Sequence, residues 1–152
     1  MQCVILAAGE GSRMRPLTTS RPKVMLPLAG KPSLEHLIRN VKEAGISDII
    51  IVVGYREEAI RDHFGDGSGF GVSIKYVVQR KQLGTADALR TAEPFVTDTF
   101  LMLNGDMVVT VDDLKKICET KAPVMAVSTT SHPQDFGVVT LNGDKIASLE
   151  EK

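Results

Sequence analysis

Residues 4–16 of this chain read VILAAGEGSRMRP, an apolar run that passes directly into a glycine-rich loop. Such a run is typical of a parallel strand that is buried on both faces of its sheet. Gly9 and Gly11 allow backbone N–H groups to approach an anion closely, and the phosphate of a nucleotide is the expected ligand. A tight strand-to-loop turn has the same G-x-G spacing, so the glycines by themselves leave both interpretations open.

Downstream, short β-branched runs alternate with helical patterns, which predicts an α/β fold with a mostly parallel sheet. Apolar residues at i, i+3, i+4 and i+7 from Leu34 predict a helix that Ser33 caps and Gly45 ends. Thr85 is expected to cap a later helix. The pattern predicts strands at 4–8, 49–53, 72–78, 100–103 and 124–127, helices at 57–64, from 85 and at 112–118, and a hairpin over 138–149 with a type I′ turn at 142–143.

The composition predicts a single hydrophobic core and a net charge too small to attract anionic partners. With 152 residues, 43% of them hydrophobic, the chain is expected to form a single domain. Its 18 Lys and Arg residues balance 19 Asp and Glu residues, so nucleic acid and acidic membranes are not expected partners. Cys3 and Cys118 lie in apolar stretches and are expected to be reduced thiols of a cytoplasmic protein.

The two ends of the sequence carry further expectations. The apolar run before Gly9 is far shorter than the ~20 residues of a membrane span, and no basic stretch precedes it, so a cytoplasmic location is expected. The sequence stops at Lys152 without the polar, capped tail that usually closes a domain. We therefore expect the domain to be incomplete at its C-terminus. An apolar sheet edge left exposed there favours a homo-oligomer.

The region after the first strand is strongly basic. Between Gly11 and Leu34 the chain has five basic residues and no Asp or Glu, although the whole sequence is charge-balanced. A solvated basic face gives the same count, but Pro16, Pro22 and Pro27 hold this segment in a fixed, non-helical path. The local positive charge therefore favours an anion site. The basic residues are Arg13, Arg15, Arg21, Lys23 and Lys31.

Two other phosphate-binding motifs are excluded by the sequence. The third glycine of the dinucleotide motif G-x-G-x-x-G is replaced by Met14, and Pro16 stands where a helix should continue. The P-loop motif G-x-x-x-x-G-K-[ST] occurs nowhere in the chain. The sequence therefore does not predict a Rossmann dehydrogenase, a P-loop kinase or a GTPase.

Residues 6–18, followed by Arg21-Pro22-Lys23, resemble the signature of the nucleotidyltransferase family of sugar nucleotide synthesis. This resemblance implies a Rossmann-like mixed, mostly parallel sheet with helices on both faces, the nucleotide-diphospho-sugar transferase fold. It implies Arg13 and Lys23 as catalytic residues, with Lys23 spanning the α-phosphate and the sugar phosphate. The residues that it implies for triphosphate binding are Ala8, Gly9, Gly11, Ser12 and Arg13.

A second segment, Gln79 followed by residues 82–88, is similar to the part of the same family that reads the base. Gln79 can donate to and accept from the imide edge of uracil or thymine, and Gly84 lets the backbone come close. Taken singly, Gln79 would be an ordinary surface residue and Thr85 only a helix cap. The family spacing assigns Gln79, Gly84 and Thr85 to nucleotide binding and leaves Asp87 as structural.

The resemblance also implies a metal ligand and a sugar pocket. Asp106 follows a buried strand, and a carboxylate there suits Mg²⁺ that bridges phosphate oxygens. The resemblance implies a second carboxylate as a ligand of the same metal ion, and this chain has no candidate for that carboxylate. The residues implied to bind the sugar phosphate are Lys23, Gly137, Glu150, Glu151 and Lys152. His36, His63 and His132 have no metal-ligand spacing and are expected to be structural.

The function that the resemblance implies is transfer of a nucleoside monophosphate to a sugar-1-phosphate. The donor is UTP or dTTP, the acceptor is glucose-1-phosphate or N-acetylglucosamine-1-phosphate, and pyrophosphate is released. The alternative is a non-catalytic nucleotide-sugar-binding regulatory subunit or an inactive fragment. A regulatory subunit is expected to lose Arg13, Lys23 or Asp106, and all three are present.

Overall fold

Four parallel strands form the central sheet of the described chain, residues 1–150 of the computed structural model. Two compact units are present, Met1–Ala122 and Pro123–Lys152. The strands of the first unit are β1 (Gln2–Ala7), β2 (Pro27–Leu28), β3 (Lys31–Pro32), β4 (Asp48–Val53), β5 (Ser73–Val78) and β6 (Phe100–Asn104), and its helices are α1 (Ser33–Glu43), α2 (Glu57–Phe64), α3 (Thr85–Ala92) and α4 (Val111–Glu119). The second unit contains β7 (Val138–Asn142) and β8 (Lys145–Glu150).

The strand order of the central sheet is β5-β4-β1-β6, and all three strand pairs are parallel. Ile5 of β1 lies beside Ile51 on one side and Leu103 on the other. Alternate residues of β1 face opposite sides, so Ile5 packs in the core with α1, α2 and α4 while Val4 packs in the core with α3. The sheet therefore carries helices on both faces, and the predicted α/β class is confirmed. The antiparallel pairs β2-β3 and β7-β8 are separate two-stranded sheets.

The buried faces of the helices follow the predicted spacing, but two predicted caps are wrong. The apolar residues of α1 are all buried, and Gly45 follows the helix with φ of 95°. The N-cap of α1 is Pro32, whose extended backbone makes Ser33 the first helical residue, and the Ser33 hydroxyl donates to Val24 O. Likewise the N-cap of α3 is Gly84, so Thr85 is the first residue of the helix and not its cap.

Two predictions for the second unit are also wrong. Residues 124–127 form no strand among the described residues, and Val124, Met125 and Val127 are exposed, because a β-branched run needs a partner strand to become part of a sheet. The β7-β8 hairpin forms as predicted, but Asn142 pairs with Lys145, so the loop is residues 143–144. A type I′ turn needs positive φ at both central residues, and Asn142 lacks it.

The cysteines and the hydropathy of the helices complete the description of the scaffold. Cys3 and Cys118 are free thiols, and burial raises the pKa of Cys3 to about 12. The helices of residues 1–150 lack the length and apolar character that crossing a membrane requires.

A buried carboxylate joins α1 to α2. The Glu35 side chain is only 8% exposed, and it accepts hydrogen bonds from Arg39 at 2.8 and 2.9 Å while His63 Nε2 lies 2.9 Å from its second oxygen. Lys31 lies 3.4 Å away. Burial by itself raises the pKa of Glu35, but the bonds to His63, Arg39 and Lys31 outweigh it and lower the pKa to about 2.

Replacing Glu35 with Gln should therefore remove an acid-sensitive part of the stability. Because the folded-state pKa of Glu35 is depressed from 4.5 to about 2, its contribution is complete above pH 4.5 and is lost as the pH falls toward 2. We expect Glu35→Gln to lower the free energy of unfolding at pH 7 by about 1–3 kcal/mol. Urea unfolding from pH 7 to 2 measures both effects. Glu43→Gln, an exposed change on the same helix, is the control, and equal pH curves for the two variants would contradict this role.

Candidate functional site

The sheet has a switch point at β1. The chain runs outward from β1 through β4 to β5, and then returns to the other side of β1 with β6. In open α/β sheets, ligands bind outside the carboxyl ends of the strands at such a point. The segments that leave β1 and β6 lie side by side there, since Gly105 N donates to Leu6 O at 2.8 Å. Residues 8–16, called the glycine loop below, begin at this edge.

The glycine loop is held by close backbone contacts. Gly11 has φ of 66° and is followed by a 3-10 turn, Ser12–Met14. Thr18, which is fully buried, donates its hydroxyl to Gly11 O at 2.9 Å. At Gly54 a Cβ atom would lie 2.8 Å from Ala8 O, so β4 can end against the loop only because residue 54 is glycine. The path of the loop is therefore set before any ligand binds.

Lys23 lies directly against this loop and reaches the end of β6. A Cβ atom on Gly11 would be 2.9 Å from Lys23 Cβ, so the stem of the lysine packs where Gly11 has no side chain. The Lys23 ammonium lies 2.6 Å from Asp106 Oδ2. The two side chains are 40% and 39% exposed, which leaves both accessible to a ligand. The residue predicted to bind phosphate and the residue predicted to bind metal are thus neighbours in space.

The remaining residues of the glycine loop differ in burial and in their charged partners. Ala8 is buried, and its carbonyl oxygen accepts from Tyr55 N. Arg13 is exposed within the 3-10 turn. Arg15, to which the sequence assigned no individual role, pairs with Glu10 across the loop, and this pairing raises its pKa. Among the described residues, Glu10 thus pairs with one of the two exposed loop arginines, and no ion pair is found for the other, Arg13.

The predicted base-reading segment lies at the same edge of the sheet. Gln79 follows β5, is 7% exposed and donates its backbone N–H to Val53 O at 2.8 Å. Its side-chain nitrogen donates to Asp87 Oδ2 at 2.8 Å and to Gly84 O at 3.3 Å. Of the donor and acceptor roles predicted for Gln79, the donor is therefore already used within the protein. Gly84 and Thr85 are exposed at the start of α3.

Gln82 connects this segment to the glycine loop, a role that the sequence analysis missed. Its side-chain nitrogen donates to Ala8 O at 3.1 Å. The signal was available, because Gln82 belongs to the segment of family resemblance. Its partner is a backbone atom 74 positions earlier, which no sequence pattern names.

The residues predicted for the sugar phosphate are only partly described. Gly137 and Glu150 lie together in the second unit, where a Cβ on Gly137 would be 3.5 Å from Glu150 O. Glu150 is exposed. Glu151 and Lys152 lie outside the described residues. The sugar site therefore stays a prediction.

Asp106 is suited to a hard cation that shares its ligands with phosphate. Mg²⁺ is commonly bound by one or two carboxylates together with substrate phosphates. Among residues 1–150, no three His, Cys, Asp or Glu side chains come together as a metal site. The histidines contact other groups: His36 lies by Leu28 O, His63 by Glu35 and His132 by Ser131.

These features define a class of protein. A parallel α/β sheet whose switch point carries a glycine loop, a lysine packed on that loop and a carboxylate within reach belongs to the open α/β proteins whose ligands bind at this point of the sheet. Residues 2–152 match the family model described as nucleotidyl transferase, and the chain belongs to this family.

Several named proteins are similar to the chain over its whole length. It is 44% identical to the bifunctional protein GlmU of Methanococcus maripaludis, 36% identical to a mannose-1-phosphate guanylyltransferase of Mycobacterium tuberculosis and 34% identical to a UTP–glucose-1-phosphate uridylyltransferase of Synechocystis. Each match covers 100% of the chain, which spans 36%, 44% and 44% of those proteins.

The fold is also similar to solved structures. A Bacillus anthracis protein described as a glucose-1-phosphate thymidylyltransferase has a TM-score of 0.82 at 30% identity, over 99% of this chain and 64% of that one. A UDP-glucose pyrophosphorylase has a TM-score of 0.83 at 22% identity, over 99% of this chain and 68% of that one. At 22% identity, the likeness to the UDP-glucose pyrophosphorylase shows a shared fold alone.

Gly11→Ala should strain the glycine loop, whereas Gly9→Ala should not. An alanine at Gly11 needs a positive φ and brings its methyl group against Lys23, while nothing lies within 4 Å of a Cβ at Gly9. We expect Gly11→Ala to lower the free energy of unfolding by about 1–3 kcal/mol and Gly9→Ala by less than ~0.5 kcal/mol. Denaturant unfolding of both variants measures this. Equal stabilities would show that the contact between Gly11 and Lys23 does not constrain the loop.

Proposed function

We propose that the protein to which this chain belongs transfers a nucleoside monophosphate from UTP or dTTP to a sugar-1-phosphate and releases pyrophosphate. The observation that carries this proposal is the placement of Lys23, packed on Gly11 and paired with Asp106 at the switch point of the sheet. The names of the uridylyl- and thymidylyltransferase relatives support the reaction and a pyrimidine donor. Glucose-1-phosphate and N-acetylglucosamine-1-phosphate are the proposed acceptors.

The chemistry needs two anions to be aligned, and it needs no protein nucleophile. An oxygen of the sugar phosphate attacks the α-phosphorus and forms a new P–O bond, while the bond to the β-phosphate oxygen breaks and pyrophosphate leaves. Arg13, Lys23 and the N–H groups of the glycine loop hold the phosphates and stabilise the charge that spreads over their oxygens. Mg²⁺ held by Asp106 would supply further charge stabilisation when bound.

The pair of Lys23 and Asp106 makes anion and cation binding interdependent. In the chain by itself the two charges neutralise each other at 2.6 Å. A phosphate that binds Lys23 frees the Asp106 carboxylate, and a cation that binds Asp106 frees the Lys23 ammonium. Because each ligand separates the same ion pair, each favours the binding of the other.

Localisation and the acceptor pocket complete the proposal. We place the protein in the cytoplasm, which the free thiols of Cys3 and Cys118 support. Lys23, Gly137, Glu150, Glu151 and Lys152 remain the proposed sugar-phosphate residues.

A panel of substrates tests the reaction. The full-length protein containing residues 1–152 is mixed with each of UTP, dTTP, GTP, CTP and ATP, and with each of three 1-phosphates: glucose, N-acetylglucosamine and mannose. We expect pyrophosphate release at ~10 s⁻¹ with UTP or dTTP, and none without the sugar phosphate or in the presence of EDTA. Binding of nucleotide sugars without pyrophosphate release from any pair would instead indicate the non-catalytic subunit.

Arg13→Ala and Lys23→Ala should each lower kcat by about 10²- to 10³-fold, because each removes a donor that stabilises the charge on the reacting phosphates. Circular dichroism and thermal midpoints should stay close to those of the unaltered protein, since both side chains are substantially exposed. Lys115→Ala is the control, as it removes one exposed positive charge from α4, a helix that contributes no residue to the proposed site. If either variant turned over at a near-normal rate, its residue would have no part in catalysis.

A further inference from the structure

The side-chain amide of Gln79 is held between two groups that can only accept hydrogen bonds. Asp87 Oδ2 lies 2.8 Å and Gly84 O lies 3.3 Å from its nitrogen. A carboxylate and a carbonyl offer no proton, so the amide oxygen cannot occupy this position. The orientation of the amide is therefore decided by its neighbours. The carboxylate has the larger part, because its bond is shorter and charge-assisted.

The amide oxygen of Gln79 is the end that remains for a ligand. None of the hydrogen bonds among residues 1–150 is made to this oxygen. In the same residues no buried side-chain oxygen or nitrogen lacks a partner, so the Gln79 oxygen is reached by solvent. It lies at the carboxyl edge of the sheet, where Gln79 N bonds to Val53 and Gly54 packs against Ala8.

We propose that Asp87 is a positioning residue that selects the base of the nucleotide through Gln79. By holding the amide nitrogen, Asp87 turns the oxygen toward the nucleotide and makes the site an acceptor. It then favours bases with a ring N–H in that position, which are uracil, thymine and guanine. This inference rests on the proposed function and concerns the same site.

Cytosine and adenine are disfavoured for a physical reason. Uracil and thymine donate from N3 and guanine donates from N1, whereas cytosine N3 and adenine N1 carry lone pairs. A lone pair facing the Gln79 oxygen leaves two acceptors without a proton between them, at a position from which the bound base has displaced water. Discrimination then comes from an unfavourable contact with the wrong base as well as from a bond to the right one.

Asp87→Asn tests the role of the carboxylate. An asparagine is nearly the same size but can donate as well as accept, so it permits both orientations of the Gln79 amide. The backbone oxygen of Asp87, which accepts from Thr91 at 2.8 Å, is unchanged by the substitution. Glu93→Gln is the matched control, because it removes one exposed negative charge just beyond the same helix.

The experiment measures Kd by calorimetry with Mg²⁺ for UTP, CTP, GTP and ATP, using the full-length protein. In the unaltered protein and in Glu93→Gln, UTP should bind at least ~10-fold more tightly than CTP, and GTP more tightly than ATP. Asp87→Asn should reduce the UTP-to-CTP preference by about 3- to 10-fold, mainly through tighter CTP binding. In a Gln79→Ala background, adding Asp87→Asn should change the preference no further, since Asp87 acts through Gln79.

The possible outcomes separate the two proposals. An unaltered preference in Asp87→Asn, or an equal effect of Asp87→Asn with and without Gln79, would overturn the role of Asp87 and leave the transferase proposal standing. Failure of the unaltered protein to bind any triphosphate would overturn both. If Asp87→Asn does not fold, NMR of the unaltered protein decides. The side-chain amide hydrogens of Gln79 should exchange more slowly than those of exposed Gln134 and stay protected when UTP binds, and fast exchange would overturn the proposal.

Discussion

The architecture depends on the central position of β1, whose residues Cys3, Val4, Ile5 and Ala7 are buried. This strand is hydrogen-bonded to β4 on one side and to β6 on the other, and side chains from both faces of it lie in hydrophobic cores. A strand without a free edge or face cannot shift, so the atoms at its carboxyl end become fixed reference points. Leu6 O receives Gly105, and Ala8 O receives both Tyr55 and Gln82. Segments from three distant parts of the chain thereby meet at one place.

Glycine is required at this place by packing more than by flexibility. At Gly54 and Gly105 a Cβ would meet the backbone of β1 or Ala8 at 2.8 to 3.0 Å, and at Gly11 it would meet Lys23. The absence of three side chains lets the loop, the lysine and the end of β6 approach one another. A balanced chain, with a net charge of −1, can then present positive charge locally. Glu10 pairs with Arg15, and Asp106 pairs with Lys23.

Periodic patterns were the reliable part of the sequence interpretation. The residues at i, i+3, i+4 and i+7 in α1 are all buried, and α2 has the predicted bounds, because helix amphipathicity reflects a single large energy term, burial. Caps were less reliable, since one backbone angle at Pro32 or Gly84 moves the helix start by one residue. The cap of α4 was overlooked although Thr110 and Asp113 have the capping spacing, and their bond is present. The strand predicted at 124–127 was wrong, because an apolar run forms a strand only when a partner strand is present.

By itself, the sequence determined the α/β class, the family and the identity of the loop residues, because these follow from short-range order along the chain: a buried run, then glycines, then basic residues. Only the tertiary structure decided which functional groups face each other. Lys23 and Asp106 are 83 positions apart and meet because β1 and β6 end side by side. The orientation of the Gln79 amide was likewise undecided in the sequence, where glutamine is both donor and acceptor. It became fixed when β5 and α3 brought Asp87 and Gly84, which can only accept, to one end of that side chain.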